Sequence, residues 1–468
     1  HRALQRALAE DHLAQAVGGL AERVGVHGRA HEFAQALDLA LGAPDDANAL
    51  NVAAAAAAGL GRRAEAEQLY RQALSLDPDN PTTHNNLGLF LREAGRDAES
   101  ESILLAGLER APDMVELRHC LAGLYRLQGR LDLAEAQYRA LLARRPELLE
   151  TRFRLAGLLL ALGRFEEGWA LYECRHHPGR AEAPALPDFG CPAWEGQPLA
   201  GKSLLIWFEQ GYGDEIQFGR YVPLLKAMGA AHITLFCRPA LEPLLRSLAG
   251  VDLLVPASGS QNTPDHDYWT LPMSIPHWVD TRLDTIPAET PYLSAPPERR
   301  PAWAGRLPAG RRVGLAWRGN PAFAADALRS LPGLASLRAL WDAPGLSFVS
   351  LQKGAGEAEA QAPPPGQPIL DLGSQARDFA DSAAIIEQLD LVISVDSAPA
   401  HLAGALGRPV WLLLPWESLD ARWLLERDDS PWYPTMRLFR QARGEGWGPV
   451  IARLAEALKG WASRASPA

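Results

Sequence analysis

The sequence predicts an α-helical solenoid followed by two α/β domains, each built on a parallel sheet. Three observations lead to this prediction. The first third of the chain carries a 34-residue repeat, the remainder alternates short apolar strands with helices, and a Pro/Arg-rich break near residues 296–310 divides those strands into two sets. Strands interleaved with helices of ordinary length are typical of parallel sheets covered by helices.

The repeat is visible at three kinds of position, all spaced by 34 residues or a multiple of 34. They are the Gly-Arg pairs at 61–62, 95–96, 129–130 and 163–164, the prolines at 44, 78, 112 and 146, and the tyrosines at 70, 138 and 172, with Leu104 in the second copy. Each unit therefore reads as a helix, a glycine-containing turn, a second helix and a proline-led turn. This pattern resembles the tetratricopeptide repeat (TPR).

The resemblance assigns residues 47–178 to TPR units and implies a concave surface that binds peptides or partner proteins. Residues 1–46 are helical in pattern but out of register, which predicts a degenerate or capping repeat. A second interpretation stays open, in which the helices serve only as a spacer or a dimerisation arm.

The two α/β domains are predicted at 203–305 and 306–445. A Pro/Gly-rich linker at 179–202 precedes them, and a C-terminal amphipathic helix occupies 446–468. Two Rossmann-like domains that face each other place ligands at the carboxyl ends of their strands. The residues at four strand ends are therefore the candidates for a site.

The first strand, "SLLIWF", is followed by "EQGYGDEIQF", in which Gly211 and Gly213 permit a tight turn and the approach of a ligand. The stretch lacks the third glycine of a dinucleotide fingerprint, and a carboxylate at this position would repel a phosphate. Asp214 is therefore either the cap of the next helix or a proton acceptor for a hydroxyl. We expect Gly211, Gly213 and Asp214 on the acceptor side of the cleft.

Two further strands end in polar residues suited to a phosphate. "GLAWRGN" delivers Arg318 and Asn320 into a loop, and "SLQKGAG" ends with Gln352 and Lys353. Surface solvation explains Lys353 equally well.

The fourth strand end, "LDLVISVDSAPAHLAGALGRPVW", is the most informative. Asp396 ends an apolar strand, Ser397 stands at the N-cap of a helix, and Pro399 and His401 fall in its first turn. The free N–H groups and the dipole of such a helix end form an anion site. His401 is either a ligand of a diphosphate or a structural histidine.

This stretch is similar to the donor-binding segment of the ADP-heptose:lipopolysaccharide heptosyltransferases, D-[ST]-x-x-x-H-L-A-x-A-x-x-x-P. The resemblance implies the GT-B fold, with Asp214 at the place of the catalytic base. Residues 203–441, with "WRGN", "RSLP" and "SLQ", look closer to bacterial TPR-containing glycosyltransferases, whose members include enzymes that glycosylate flagellin. That resemblance implies that Arg329 and Ser330 help to bind the donor.

The sequence departs from those proteins at Phe323, where a histidine is common, and at Ala325, where a polar residue is common. Either difference could alter the donor sugar or weaken turnover. Asp420, Arg422 and Trp423 keep the pattern, but the sequence assigns no role to them.

A D-x-D motif at 265–267, which binds manganese in the other glycosyltransferase fold, is interpreted here as coincidental. GT-B enzymes handle the diphosphate with helix dipoles and basic side chains. We therefore expect no metal and no cofactor apart from a nucleotide-sugar substrate. Asp267 and Ser274 are expected to line the acceptor side of the cleft.

Composition narrows the partners. The net charge is −10, and no Lys/Arg block occurs, which argues against nucleic acid or an anionic membrane surface as the main partner. No apolar run reaches the ~20 residues of a membrane span. The four cysteines, Cys120, Cys174, Cys191 and Cys237, form no C-x-x-C pair, which predicts reduced thiols and a cytoplasmic location.

The sequence thus predicts an inverting glycosyltransferase that moves a sugar from a nucleotide-sugar to a Ser or Thr of a protein, flagellin-like, held by the TPR arm. Asp214 and His401 are the expected catalytic residues. Two alternatives stay open: an enzyme of the TPR-containing O-GlcNAc transferase type, and a TPR adaptor that binds a nucleotide or a partner protein with little or no turnover.

Overall fold

The structure is a computed structural model that describes residues 33–34, 37, 45–180, 183, 186–257, 265–323, 326–417 and 420–463. The chain divides into two compact units, with the boundary between Leu155 and Ala156. The predicted capping repeat at 1–46 lies almost wholly outside the described residues.

The first unit is built of consecutive helices that pack against their neighbours in the chain. Their bounds are α1 (Ala47–Gly59), α2 (Arg63–Leu76), α3 (Pro81–Glu93), α4 (Asp97–Arg110), α5 (Val115–Leu127), α6 (Leu131–Arg144) and α7 (Leu149–Ala161), the last of which crosses the boundary.

The periodic glycines end the first helix of each repeat. Gly95, with φ +73°, is in the left-handed region, which a residue without a Cβ adopts without strain. Its N–H bonds to the carbonyl of Arg92 at 3.0 Å, and the N–H of Arg96 bonds to that of Leu91 at 2.9 Å. These bonds satisfy carbonyls that the end of α3 would otherwise leave without a partner.

The periodic prolines that the structure describes, at 78, 112 and 146, lie in the connections rather than at the helix starts. Pro78 follows the end of α2, and α3 begins three residues later at Pro81. The side chain of Asn80 caps α3 by accepting the N–H groups of Thr82 and Thr83 at 3.1 and 3.2 Å. An asparagine N-cap followed by a proline therefore starts this helix.

The second unit holds the remaining helices and all ten strands of the described residues. The helices are α8 (Phe165–Tyr172), α9 (Tyr212–Phe218), α10 (Tyr221–Ala227), α11 (Glu242–Leu245), α12 (Ile275–Trp278), α13 (Arg300–Ala304), α14 (Asp326–Arg329), α15 (Glu357–Gln361), α16 (Phe379–Ile386), α17 (Ala398–Ala405) and α18 (Trp447–Ala462), with 3₁₀ helices at Glu173–His176 and Leu334–Asp342.

The strands form two sheets in which every neighbouring pair is parallel. The first sheet has the order β3-β2-β1-β4 and the second the order β10-β9-β8-β5-β6-β7. Their bounds are β1 (Ser203–Ile206), β2 (His232–Cys237), β3 (Leu253–Pro256), β4 (Tyr268–Thr270), β5 (Arg311–Ala316), β6 (Leu346–Ser350), β7 (Leu370–Asp371), β8 (Leu391–Val395), β9 (Val410–Leu414) and β10 (Met436–Arg440). We call the domains that contain these sheets the first and second lobes. The predicted order, a helical solenoid and then two Rossmann-like domains in the GT-B manner, is confirmed.

Two segments lie elsewhere than the predicted domain bounds suggest. Within the predicted linker at 179–202, Trp194 is buried. Its backbone N–H donates to the carbonyl of Trp269, in the edge strand β4, at a distance of 2.7 Å. Helix α8, predicted as part of the repeats, belongs to the second unit, where Trp169 packs edge-on against Phe218 of α9 at 6.2 Å. Large aromatic side chains bury most of their area wherever a core is within reach, so these segments join the first lobe.

The two lobes contact each other through Arg220, which follows α9 of the first lobe. Its side chain is almost fully buried and donates to the carbonyl of Trp432, in the second lobe, at 2.5 Å. The guanidinium lies 4.5 Å from the centre of the Tyr433 ring and 4.9 Å from that of Tyr292. Cation–π contacts of this kind are strongest where water is excluded. They hold the two lobes together at Arg220.

Candidate active site

A cavity of about 970 Å³ opens between the lobes, at the carboxyl ends of the strands. Its size is that of pockets that enclose a small-molecule ligand. The segments that line it include 210–214, 318–323, 352–355, 396–399 and 420–422. The four strand ends that the sequence singled out therefore meet in one place.

The turn after β1 presents Asp214 to this cavity. Gln210 has a positive φ of 59°, and Gly211 stands at the N-cap of α9. Asp214 accepts the N–H of Gly211 through Oδ2 at 2.8 Å, so it caps its own helix. Its other oxygen, Oδ1, accepts Nη1 of Arg422 from the second lobe at 2.9 Å. The capping role is thus observed, and the role of Asp214 as a base stays a prediction.

Helix α9 packs against α17 at Gly213. A Cβ at this position would lie 2.7 Å from Cδ2 of His401, shorter than real Cβ contacts. The ring of His401 is buried between Trp423, at 5.4 Å, and Tyr433, at 5.8 Å between ring centres, so it has no room to move away. Glycine at 213 is required because the two helices touch here.

His401 belongs to a buried polar group that also contains Asp396. Its Nδ1 is 3.0 Å from the hydroxyl of Tyr433, and its Nε2 is 3.7 Å from Oδ1 of Asp396. Trp423 donates its indole N–H to Oδ2 of Asp396 at 3.1 Å. Burial would raise the pKa of Asp396, but His401, the charge of Arg422 and the Trp423 bond outweigh it and hold that pKa well below its usual value. Asp396 is therefore an ionised carboxylate beneath the cavity.

Helix α17 begins at the cavity without a side-chain cap. Ser397 occupies the N-cap position, but its hydroxyl donates to the carbonyl of Val395 at 3.1 Å instead of capping the helix. Pro399, in the first turn, has no N–H to satisfy. An uncapped helix start at a cavity wall offers amide N–H groups and a positive dipole end to an anion.

Gln352, Ser330 and Arg318 shape the loops of the second lobe. Buried Gln352 accepts the N–H groups of Trp317 and Arg318 at 3.0 Å each, which ties the ends of β5 and β6 together. Ser330 accepts the N–H of Gly319 at 2.8 Å. The guanidinium of Arg318 bonds to the carbonyl of Pro332 and lies 3.2 Å from Glu359. Polar atoms that the sequence predicted to bind the donor are therefore hydrogen-bonded within the protein.

Arg329, Asn320 and Lys353 line the cavity itself. Arg329 pairs with Asp326 at 3.1 Å and stacks over the exposed ring of Phe323 at 4.7 Å. Asn320 accepts the N–H of Ala322 at 3.0 Å. Lys353 donates to the carbonyl of Ser374 at 2.7 Å, and its side chain is 61% exposed. The ring of Phe323 thus packs against the guanidinium of Arg329. Ala325 lies outside the described residues.

The sequence predicted Asp267 and Ser274 on the acceptor side of the cleft, but neither of them lines the cavity. Asp267 directly precedes β4, at the amino ends of the strands and not at their carboxyl ends. There it accepts the N–H of Ser203 at 2.8 Å and pairs with Lys202 at 2.9 Å. These bonds, the backbone one first, lower its pKa to about 2. Ser274 is buried and accepts Nη2 of Arg175 at 2.8 Å. Asp267 therefore secures the amino end of β1.

A buried ion-pair network that the sequence did not reveal lies beside the Asp214 turn. Glu209, directly after β1, accepts Nε and Nη2 of Arg175 at 2.9 Å each, Nε2 of His176 at 2.8 Å and the N–H of Met273 at 2.8 Å. Burial would raise the pKa of Glu209, but Arg175 and His176 outweigh it and lower that pKa to about 2. The network joins the ends of β1 and β4 to the 3₁₀ helix that follows α8.

Comparison with known proteins gives two family matches. Residues 57–118 match the profile of the tetratricopeptide repeat, and residues 350–413 match that of glycosyltransferase family 9 (heptosyltransferase). The second match contains Gln352, Lys353, Asp396, Ser397 and His401.

One segment of the chain thus resembles tetratricopeptide repeats and another resembles glycosyltransferase family 9.

Among curated proteins, Protein FlbA of Caulobacter vibrioides is 31% identical over 332 residues, which are 64% of this chain and 53% of FlbA. The chain thus spans about half the length of that relative. Two solved structures are also similar to the chain. The glycosyl transferase family 9 protein of Veillonella parvula has a TM-score of 0.43 and 14% identity, over 57% of this chain and 99% of that one. The ADP-heptose lps heptosyltransferase II of E. coli has a TM-score of 0.41 and 14% identity, over 56% and 98%.

Two kinds of feature are absent from the residues that the structure describes. In that part of the chain, no helix combines the length and the apolar character that crossing a bilayer needs. The same residues contain no cluster of three or more His, Cys, Asp or Glu side chains arranged to hold a metal ion.

The contact at Gly213 makes a first prediction. Gly213→Ala should lower the free energy of unfolding by about 1–3 kcal/mol, because the new methyl group has to displace the buried ring of His401. Urea unfolding of the full chain measures the loss. Gly448→Ala is the matched control, since Gly448 is also the second residue of a helix and its Cβ would meet no atom within 4 Å. Equal stability of the two variants would contradict the close approach of α9 and α17.

The Glu209 network makes a second prediction. Glu209→Gln should destabilise the protein by about 3 kcal/mol at pH 7, because it removes the negative charge that is paired with the buried guanidinium of Arg175. The pKa of Glu209 is lowered, so its contribution is complete above about pH 4.5 and is lost as the pH falls toward 2. The deficit of the variant should therefore shrink by roughly 2 kcal/mol between pH 7 and pH 3.

Urea unfolding at both pH values tests this prediction. The control is Glu173→Gln, which removes the more exposed partner of the same Arg175 and should cost less than about 1 kcal/mol. A Glu209→Gln deficit that stays constant with pH would show that the carboxylate is not held ionised by the network.

Proposed function

We propose that this protein is a glycosyltransferase that moves a sugar from a nucleotide-sugar to a hydroxyl group of a protein. One observation carries the proposal: the carboxylate of Asp214 on the first lobe and the uncapped start of α17 on the second lobe open into the same cavity. A base and an anion site on facing walls are what sugar transfer from a phosphate needs. The family 9 match over 350–413 supports this assignment.

The donor is proposed to lie on the second lobe, with its diphosphate at the first turn of α17. Ser397 and the amide of Ala398 would meet the phosphate oxygens, and Lys353 and Arg329 would approach from the strand ends beside it. Negative charge grows on the departing phosphate during transfer, and fixed N–H groups stabilise it without reorganising. No cofactor beyond this substrate is part of the proposal.

The acceptor hydroxyl is proposed to bind against Asp214. As its oxygen bonds to the anomeric carbon, the bond from that carbon to the phosphate oxygen breaks, and the proton passes to the carboxylate. The base and the leaving group belong to opposite lobes, so attack comes from the face opposite the phosphate. Such an attack inverts the configuration at the anomeric carbon.

The repeats favour a protein as the acceptor. The TPR match over 57–118 belongs to a class of repeats that bind peptides and proteins on extended surfaces. A net charge of −10 suits an anionic lipid surface poorly. We therefore propose a Ser or Thr of a partner protein, flagellin being one candidate, as the site of modification.

Release of nucleotide from UDP-, ADP-, GDP- and CMP-sugars, with and without a candidate acceptor protein, tests the proposal. One sugar should show acceptor-dependent release, and Asp214→Asn should reduce that release on the order of a hundredfold or more. Asp284→Asn, a change at an exposed carboxylate elsewhere on the first lobe, is the control and should leave it unchanged.

Full turnover by a folded Asp214→Asn protein would remove Asp214 from the role of base. Nucleotide binding without release from any sugar, whatever the acceptor, would instead favour the adaptor that binds and does not turn over.

A further inference from the structure

Arg422 reaches from the second lobe to the proposed base on the first. Its Nη1 lies 2.9 Å from Oδ1 of Asp214, and the side chains of both residues are mostly buried, at 21% and 15% exposed. The sequence separation of 208 residues makes this a contact between lobes rather than a local turn. Both residues also line the cavity.

The guanidinium is held in one orientation by Asp420. That carboxylate accepts both the backbone N–H and Nε of Arg422 at 2.8 Å, and it also accepts Nη2. The segment is tied down further, since Ser430 donates to the carbonyl of Arg422 at 3.1 Å and Trp432 donates to that of Ala421 at 3.2 Å. With Nε and Nη2 engaged by one carboxylate, the planar fork leaves Nη1 to point at Asp214.

The charge of Arg422 is permanent. Burial disfavours the charged guanidinium, but Asp420 and Asp214 outweigh it and hold the pKa of Arg422 well above its usual value. Arg422 therefore neither takes nor gives a proton in the transfer. Any effect it has on the reaction has to come from its charge and its geometry.

We propose that Arg422 is the positioning residue of Asp214, so that a side chain of the second lobe aligns the base of the first. This inference rests on the proposed function. The N–H of Gly211 fixes one carboxylate oxygen from the first lobe, and Arg422 fixes the other from the second. One anchor alone leaves a carboxylate free to turn about its Cβ–Cγ bond. Two anchors set its plane, and the lone pairs that stay free face the acceptor hydroxyl.

A double-mutant cycle on the full chain separates this role from a structural one. The substrate is the nucleotide-sugar that the release assay shows to be turned over, and the probe of donor binding is its nucleoside diphosphate. Arg422→Gln should lower kcat about 10- to 100-fold, because a misplaced catalytic group costs that much. The affinity for the nucleoside diphosphate should stay within about twofold, because Arg422 acts through Asp214 and not on the donor.

In the Asp214→Asn background, Arg422→Gln should change the residual rate by less than about twofold, since the group it positions is gone. Arg422→Lys keeps the charge but loses the fork, and should fall between the wild type and Arg422→Gln. Arg427→Gln is the matched control, because Arg427 lies in the same segment and pairs with the exposed Asp429 at 2.7 Å. It should leave kcat unchanged.

A second readout needs no substrate. Hydrogen exchange of the amides at 211–218 should be faster in Arg422→Gln and unchanged in Arg427→Gln. Only the first variant removes the hydrogen bond from the second lobe to Asp214 of α9. Unchanged exchange in a folded Arg422→Gln protein would overturn the inference even if no sugar were turned over.

Two kinetic outcomes would also overturn it. Additive losses in the double variant would show that Arg422 acts independently of Asp214, and a parallel loss of nucleotide affinity would make it a ligand of the donor phosphate. Full activity of Asp214→Asn would remove the base from the proposed function itself, a failure that the cycle reports separately.

Discussion

The site depends on the contact between two helix starts that belong to different lobes. Helix α9 brings Asp214 to one wall of the cleft, and α17 brings an uncapped N-terminus to the other. The contact is possible because position 213 has no side chain, so that the ring of His401 fits against the backbone. The contacts of buried Arg220 with Tyr292, Trp432 and Tyr433 also hold the two lobes together.

The charges around the cleft explain why a helix end is the natural place for a phosphate. Arginine side chains at or near the cavity already have carboxylate partners: Arg318 has Glu359, Arg329 has Asp326, Arg377 has Asp381 and Arg422 has both Asp420 and Asp214. A guanidinium engaged in this way offers less to an incoming anion than a free one does. The amide groups at the start of α17 carry no such competing partner among side chains. In the proposed function, electrostatic support for the diphosphate would therefore come largely from backbone dipoles, which are fixed before the substrate arrives.

The sequence predicted the features that depend on local pattern. The repeat glycines, the alternation of strands and helices, and the four polar strand ends all follow from spacing and residue type, and parallel strands bring their carboxyl ends to one edge. The prediction that Asp267 lines the cleft was wrong, because the residue directly precedes β4 and so lies at the amino ends of the strands. The pairing of Arg422 with Asp214 and that of Glu209 with Arg175 could not be predicted, since the paired residues are 208 and 34 positions apart and no spacing rule links them. The predicted linker contains Phe189 and Trp194, and both are buried in the structure. Large aromatic side chains in that segment could have indicated that it packs against a domain.

The central claim is that a nucleotide diphosphate binds between α17 and the Asp214 turn. A crystal structure with the nucleoside diphosphate that binds the protein measures this most directly. The account predicts phosphate oxygens at about 3 Å from the amide or hydroxyl groups at 397–398, with the terminal phosphate facing Asp214 across the cavity. A nucleotide bound outside this cavity, or one whose phosphates point away from both helix starts, would contradict it.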